Sequence, residues 1–245
     1  MSICAYVGSR SDRAGSQIHD HLFAYAYCFS LNYTFMGAKL IRNKDDVRRL
    51  SKIINIPLLL PCHLKHSKKI DGNKYRSLDS ELFTPNFLQH IRNNYTHYES
   101  KSDNNKIIVA VMIRRGDVNP KKYPKRYMYN QYYLDILEQI ERFYMNKNTE
   151  LQIHIYSESE SYESFDDFSR YSLHLDTDIE SVWKSVINAD IMILSKSSFS
   201  YIPALYNKNL VIYYPFWHKK LNDDKWINSL DDNFKTILQE KLLEL

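Results

Sequence analysis

The sequence predicts an α/β fold built on parallel sheets. Short apolar runs alternate with longer stretches whose apolar residues recur at helical spacing. In the second half those runs are apolar without alternation, as in Ile107-Ile108-Val109-Ala110-Val111-Met112-Ile113, the pattern of strands covered on both faces. A polar stretch, Glu99 to Asn105, separates two such series and places domains at residues 1–100 and 106–245.

The elements follow in order. Ile3 to Val7 reads as a strand and residues 8–16 as a loop of turn formers. Ile18, Leu22, Tyr25 and Phe29 stand at i, i+4, i+7 and i+11, one face of a helix. Tyr33 to Met36 is a short strand, and Val47, Leu50, Ile53 and Ile54 mark a second helix. Residues 55–85, with Pro57 and Pro61, are expected to be irregular, and Phe87 to Tyr95 helical. Past the polar break, residues 107–113 form a strand, 119–128 a loop rich in Lys and Tyr, and Tyr133, Leu137, Ile140 and Tyr144 a helix face. Leu151–Tyr156, Ser172–Leu175 and Ile191–Leu194 read as strands, with a helix between the last two carried by Ile179, Val182, Trp183, Val186 and Ile187. A helix is expected over Ser200–Tyr206, with Pro203 in its first turn, where no N–H is needed. Leu210–Tyr214 is a strand, and a closing helix begins near Leu230.

Of the 245 residues, 44% are hydrophobic and 25% charged, an ordinary globular balance with enough apolar material for a core. The net charge of +4 is weak, and the basic pairs Lys68-Lys69, Lys121-Lys122 and Lys219-Lys220 are dispersed, which argues against a nucleic-acid surface. Cys4, Cys28 and Cys62 are an odd number without framework spacing; they argue against a disulfide scaffold and for a reducing compartment. No apolar run approaches the ~20 residues that span a bilayer. The expectation is a soluble, cytoplasmic protein.

In an open parallel sheet, ligands bind at the carboxyl ends of the strands. Two motifs fall there: Arg114-Arg115-Gly116-Asp117, and Ser195-Lys196-Ser197-Ser198-Phe199-Ser200. Arginine holds phosphate oxygens with a planar fork of donors. Hydroxyls and N–H groups at a helix N-terminus make an anion site. If the strands before them are neighbours, both motifs converge on one diphosphate. The plain alternatives are a salt bridge to Asp117 and N-capping by the serines. Asp176-Thr177-Asp178 is a D-x-D of the kind that binds a divalent metal with a nucleotide sugar. Cys62-His63-x-x-His66 has ligand types but no fourth ligand at zinc spacing. No metal is expected at either.

VMIRRGD, residues 111–117, resembles the H-x-R-R-G-D signature of the fucosyltransferase superfamily, which includes α-1,2-, α-1,6- and protein O-fucosyltransferases. The stretch NADIMILSKSSFSYIPALYNKNLVIYY is similar to a second block of that family. GSQIHDHLFAYAYCFSLN resembles its early Gly-x-Gln helix, with Gly15, Gln17, Phe23, Tyr25 and Ala26 in matching places. The three blocks span roughly residues 15–215. The resemblance implies a GT-B fold: two Rossmann-like domains with parallel sheets, a reduced acceptor-side N-terminal domain and a C-terminal nucleotide-sugar domain. It implies an inverting, metal-independent glycosyltransferase that moves fucose from GDP-fucose to a glycan hydroxyl. Arg114, with Arg115 beside it, matches the arginine on the donor diphosphate, and Asp117 the carboxylate closing that turn. Ser197, Ser198 and Phe199 match the serine block near the phosphates. Asp178 or Glu180 is expected to accept the guanine N1–H and N2–H₂. Asp117 and the group His19, Asp20 and His21 are candidates for a general base, His19 first. Met112 stands where the family has His, which removes a ring contact to the nucleotide. That leaves open another donor, such as UDP-xylose or a UDP-hexose, and a non-catalytic nucleotide-sugar- or glycan-binding protein.

Overall fold

Residues 3–6, 13–38, 44–58, 68–70, 79–100 and 105–245 are described by a computed structural model of the chain. The chain divides into two units, Met1–His97 and Tyr98–Leu245, so the division falls at the start of the polar stretch.

The N-terminal unit carries a three-stranded parallel sheet in the order β2-β1-β3, with β1 at Ile3–Tyr6, β2 at Thr34–Ala38 and β3 at Lys68–Ile70. Its helices are α1 (Ala14–Ser30), α2 (Lys44–Ile53), α3 (Asp79–Leu82) and α4 (Pro85–Asn94). The helical spacing seen in the sequence becomes the core: Ile18, Leu22, Val47, Leu50, Phe87 and Ile91 are buried. Asn32 ends α1 at φ +55, and the N–H groups of Asn32 and Tyr33 return to the carbonyls of Phe29 and Cys28. These two bonds satisfy carbonyls that the last turn leaves open. Thr84 caps α4 by accepting the Phe87 N–H, with Pro85 in the first position, where its missing donor costs nothing.

The C-terminal unit holds one six-stranded sheet, parallel throughout, in the order β6-β5-β4-β7-β8-β9. The strands are β4 (Lys106–Met112), β5 (Glu150–Ser157), β6 (Ser172–Leu175), β7 (Ile191–Ile193), β8 (Leu210–Tyr213) and β9 (Trp226–Asn228). Counted within the unit the order is 3-2-1-4-5-6, that of the doubly wound dinucleotide-binding fold. The helices are α5 (Asn130–Tyr144), α6 (Ile179–Asn188), α7 (Ser198–Tyr206) and α8 (Phe234–Leu243). Side chains alternate across a strand, and both sets of β4 are buried. Ile107, Val109 and Val111 join one core with Tyr133, Leu137 and Ile140 of α5 and Leu238 of α8. Ala110 and Met112, on the opposite face, are buried too.

Several expectations are corrected. α1 begins at Ala14, so Gly15 and Ser16 are helical rather than loop. The region read as irregular contains β3 and α3, and β9 was not expected. α7 starts at Ser198 because Ser197 supplies the cap, which leaves Pro203 inside the helix and not in its first turn. Cys28 is disulfide-bonded, a pairing that the cysteine spacing does not announce. Cys62, His63 and His66 lie outside the described residues, as do residues 7–12 of the first loop. Among the described residues no helix is long and apolar enough to cross a membrane.

Candidate functional site

β4 and β7 are hydrogen-bonded neighbours, with Val111 opposite Ile193. The chain leaves β4 toward β5 on one side of the sheet, while β7 leads to β8 on the other. This is the switch point of the strand order, where a crevice opens beyond the carboxyl ends. The Arg114–Asp117 turn follows β4 and the serine loop follows β7, so the condition set by the sequence is met.

The first turn is tightly fixed. The Gly116 N–H donates to the Glu160 carbonyl at 2.8 Å. Gly116 has φ +65, and a Cβ there would run into the Glu158 carboxylate. Only glycine meets both conditions without strain. Arg114 and Arg115 then diverge. Arg114 keeps part of its side chain at the surface and donates through Nη2 to both Asp117 oxygens, at 3.1 and 3.3 Å. The salt bridge considered as the plain alternative is therefore formed, and it also orients the guanidinium.

Arg115, expected beside Arg114 at the diphosphate, points into the protein. It is 1% exposed. Nη1 donates to the carbonyls of Arg114 and Met128, both at 3.0 Å, and Nη2 donates to Asn130 Oδ1 at 2.6 Å. Its charge is met by Glu163 at 3.5 Å and by the Tyr127 ring, 4.5 Å away. A buried guanidinium with this many acceptors is a brace. It fixes the end of the 119–128 loop, where Tyr127 also donates to Glu163 at 2.9 Å; burial raises that phenol to about 12. The C-terminal end of the loop is thus held by side-chain bonds to Arg115 and Glu163.

In the serine loop, three hydroxyls serve the backbone or each other. Ser197 Oγ accepts the Phe199 N–H at 3.1 Å as the cap of α7. Ser200 Oγ donates toward the carbonyls of Ser195 and Ser197, both at 2.9 Å, and Ser195 Oγ points to Ser200 Oγ at 3.3 Å. Ser198 differs: its Oγ lies 2.8 Å from His218 Nε2. The Ser198 N–H opens α7, at the positive end of the helix. Lys196 joins the two loops. Its ammonium donates to the Lys125 carbonyl at 3.2 Å and sits 4.3 Å from the Tyr214 ring; burial lowers its pKa. Arg126 lies over Trp217 at 5.4 Å, which adds the loop after β8. Beside the first turn, a groove of about 470 Å³ is lined by Gly116, Asn119, Lys121, Glu160, Ser161 and Tyr162.

Asp178 and Glu180 begin α6. Asp178 Oδ2 accepts the N–H groups of Glu180 and Ser181 at 3.1 and 3.2 Å. Trp183, one turn on, packs against Phe199 with ring centroids 5.5 Å apart, so Phe199 spaces α7 from α6. Asp176 sits at φ +52, and its Oδ1 accepts the Ser159 N–H at 3.0 Å; the Ser159 hydroxyl and this N–H together lower its pKa. Both acids of the D-x-D thus hold turns. His19, Asp20 and His21 belong to α1 of the N-terminal unit and are 3%, 2% and 2% exposed. His19 lies 3.9 Å from Asp20 and edge-on to Phe83. Burial drives the His21 pKa from 6.5 to about 4 despite the nearby Asp20.

Asn130, Glu163 and His218 were not singled out by sequence, and Lys196 entered only as a member of the serine motif. No spacing rule links His218 to a serine twenty residues earlier. The surplus of acids in residues 158–163 was the only available hint of the Arg115 brace.

No protein-family model matches the chain, and no curated protein matches it. Among solved structures, the chain is similar to Escherichia coli heptosyltransferase WaaC with ADP-2-deoxy-2-fluoro heptose, at a TM-score of 0.48 and 9% identity, covering 100% of this chain and 99% of that one. It is similar to the same enzyme with ADP at a TM-score of 0.46 and 10% identity, covering 100% and 96%. Likenesses at this level carry no weight beside the strand order and the two loops.

Proposed function

We propose that the C-terminal unit binds a nucleoside-diphosphate sugar across the carboxyl ends of β4 and β7, and that the protein is an inverting, metal-independent glycosyltransferase using GDP-fucose and a glycan hydroxyl as acceptor. The observation that carries this reading is that the Arg114–Asp117 turn and the Ser195–Ser200 loop follow two neighbouring strands at the switch point, with Lys196 bonded to Lys125 of the loop after the turn. Glycosyl transfer passes through an oxocarbenium-like state while negative charge grows on the departing diphosphate. Arg114, oriented by Asp117, and the Ser198 N–H supply preorganised positive potential at that point. The choice of fucose and guanine rests on the sequence resemblance.

Calorimetry with GDP, UDP and GDP-fucose, in EDTA and in Mg²⁺, tests the reading. GDP is expected to bind in EDTA, more tightly than UDP, and the Arg114→Ala variant to lose that binding. Absence of heat with every nucleotide would overturn it. One observation favours a second reading, a binding protein without turnover: Met112 is buried at the end of β4 and offers the nucleotide no polar ring. Hydrolysis or transfer from GDP-fucose separates the two.

A further inference from the structure

We propose that His218 is a positioning residue for the diphosphate site, acting through Ser198. The inference rests on the nucleotide-sugar reading. Ser195, Ser197 and Ser200 spend their hydroxyls inside the loop, whereas Ser198 Oγ meets an imidazole nitrogen at 2.8 Å. Both partners are 6% exposed. The imidazole is held from several sides. Tyr201 of α7 stacks on it at 4.7 Å and 25°, and Phe216 meets it edge-on at 5.4 Å. The backbone behind it is clamped: the Tyr213 hydroxyl donates to the His218 carbonyl at 2.6 Å, and the Tyr201 hydroxyl donates to the Lys219 carbonyl at 2.9 Å. Two tyrosines from two elements thus fix one histidine against the first residue of α7.

A hydroxyl has one proton and two lone pairs. With Nε2–H donating to Ser198 Oγ, the serine proton is turned away from His218. It then joins the Ser198 N–H as a second donor to a phosphate oxygen. His218 touches no ligand in this arrangement; it decides which way the serine donates.

Calorimetric GDP binding by the full chain, in a double-mutant cycle, tests this. His218→Met is expected to weaken GDP about tenfold, the scale of one hydrogen bond. Ser198→Ala should weaken it equally, and the double variant no further, because both remove one interaction. His218→Gln restores a donor at similar reach and should bind within about threefold of the parent. Additive losses, or equal binding by the Met variant and the parent, would overturn the inference, as would failure of Gln to recover what Met loses. Should the Met variant fail to fold, His218→Leu, which also lacks a donor, takes its place: a loss equal to that of Ser198→Ala supports the role, and binding equal to the parent overturns it. If the parent binds GDP and Arg114→Ala abolishes it while the His218 variants change nothing, only this inference falls. If the parent binds no nucleotide, the functional reading falls with it.

Discussion

Arg115 Nη2 donates to Asn130 Oδ1 at 2.6 Å, inside the protein, while the neighbouring Arg114 turns to the surface. Two identical residues therefore do separable work. Asn130→Ala removes an acceptor from a buried cation and is expected to cost about 2–3 kcal/mol of stability. Arg114→Ala should cost under about 1 kcal/mol, since a partly exposed ion pair contributes little, yet remove most nucleotide binding. Urea unfolding and calorimetry on both variants check this. Equal stability loss in the two would show that the arginines share one role.

Gly116→Ala meets a left-handed φ and the Glu158 carboxylate together. The carboxylate is the end of a flexible side chain and can swing away, so the backbone strain remains as the main cost, about 1–2 kcal/mol. Combining it with Glu158→Ala should recover only the small remainder. Full recovery of the melting temperature in the double variant would show that contact, not φ, demands glycine.

Much of this was legible beforehand for a physical reason. Strands buried on both faces must be apolar throughout, so β4, β7 and β8 announce themselves, while β5 shows itself by the alternation of Ile153 and Ile155 with Gln152 and His154. β3 and β9 do not. Lys68-Lys69-Ile70 and Trp226-Ile227-Asn228 are three residues each, at sheet edges, too short to show a period. The β4–β7 neighbourhood entered only as a condition, because strand order depends on crossovers and not on periodicity. The fate of Arg115 was hidden for a different reason. A charge after a buried strand reads as a ligand group until its acceptors are known, and those come from Met128, Asn130 and Glu163. The D-x-D was hidden in the same way, since both its acids serve local backbone donors.

His21 gives the N-terminal unit an acid sensitivity. Its folded pKa is about 4 against 6.5 for the free group, so between those values the unfolded chain binds more protons. The contribution is complete above pH 6.5, shrinks as pH falls toward 4, and amounts to about 3 kcal/mol over the whole window. His21→Gln should flatten that slope. Trp183, Trp217 and Trp226 all lie in the C-terminal unit, so fluorescence would miss the effect; hydrogen exchange of the α1 amides at pH 7 and 4.5 reads it. An unchanged slope in the variant would remove His21 as its source.

Lys196→Met should loosen the loop after β4 while leaving the sheet intact. The lost contact, Nζ to the Lys125 carbonyl, is between loops and partly exposed. Trypsin should then cut at Lys121, Lys122 or Lys125 faster than in the parent, and GDP affinity should fall by about tenfold as preorganisation is lost. Faster cutting with unchanged affinity would detach this loop from the site.

Asp178 and Glu180 divide the last question, which acid reads the base. Asp178 Oδ2 already accepts two N–H groups as the cap of α6. Taking that oxygen for guanine would leave those donors unsatisfied. Glu180 follows in the first turn and is not the cap residue, so it is expected to be the guanine acceptor. Glu180→Gln should reduce the preference for GDP over UDP about tenfold with stability unchanged. Asp178→Asn keeps a good cap and should leave both stability and preference intact, whereas Asp178→Ala should cost about 1 kcal/mol of stability alone. Loss of GDP preference in Asp178→Asn but not in Glu180→Gln would reverse the assignment and mean that the cap yields when the nucleotide binds.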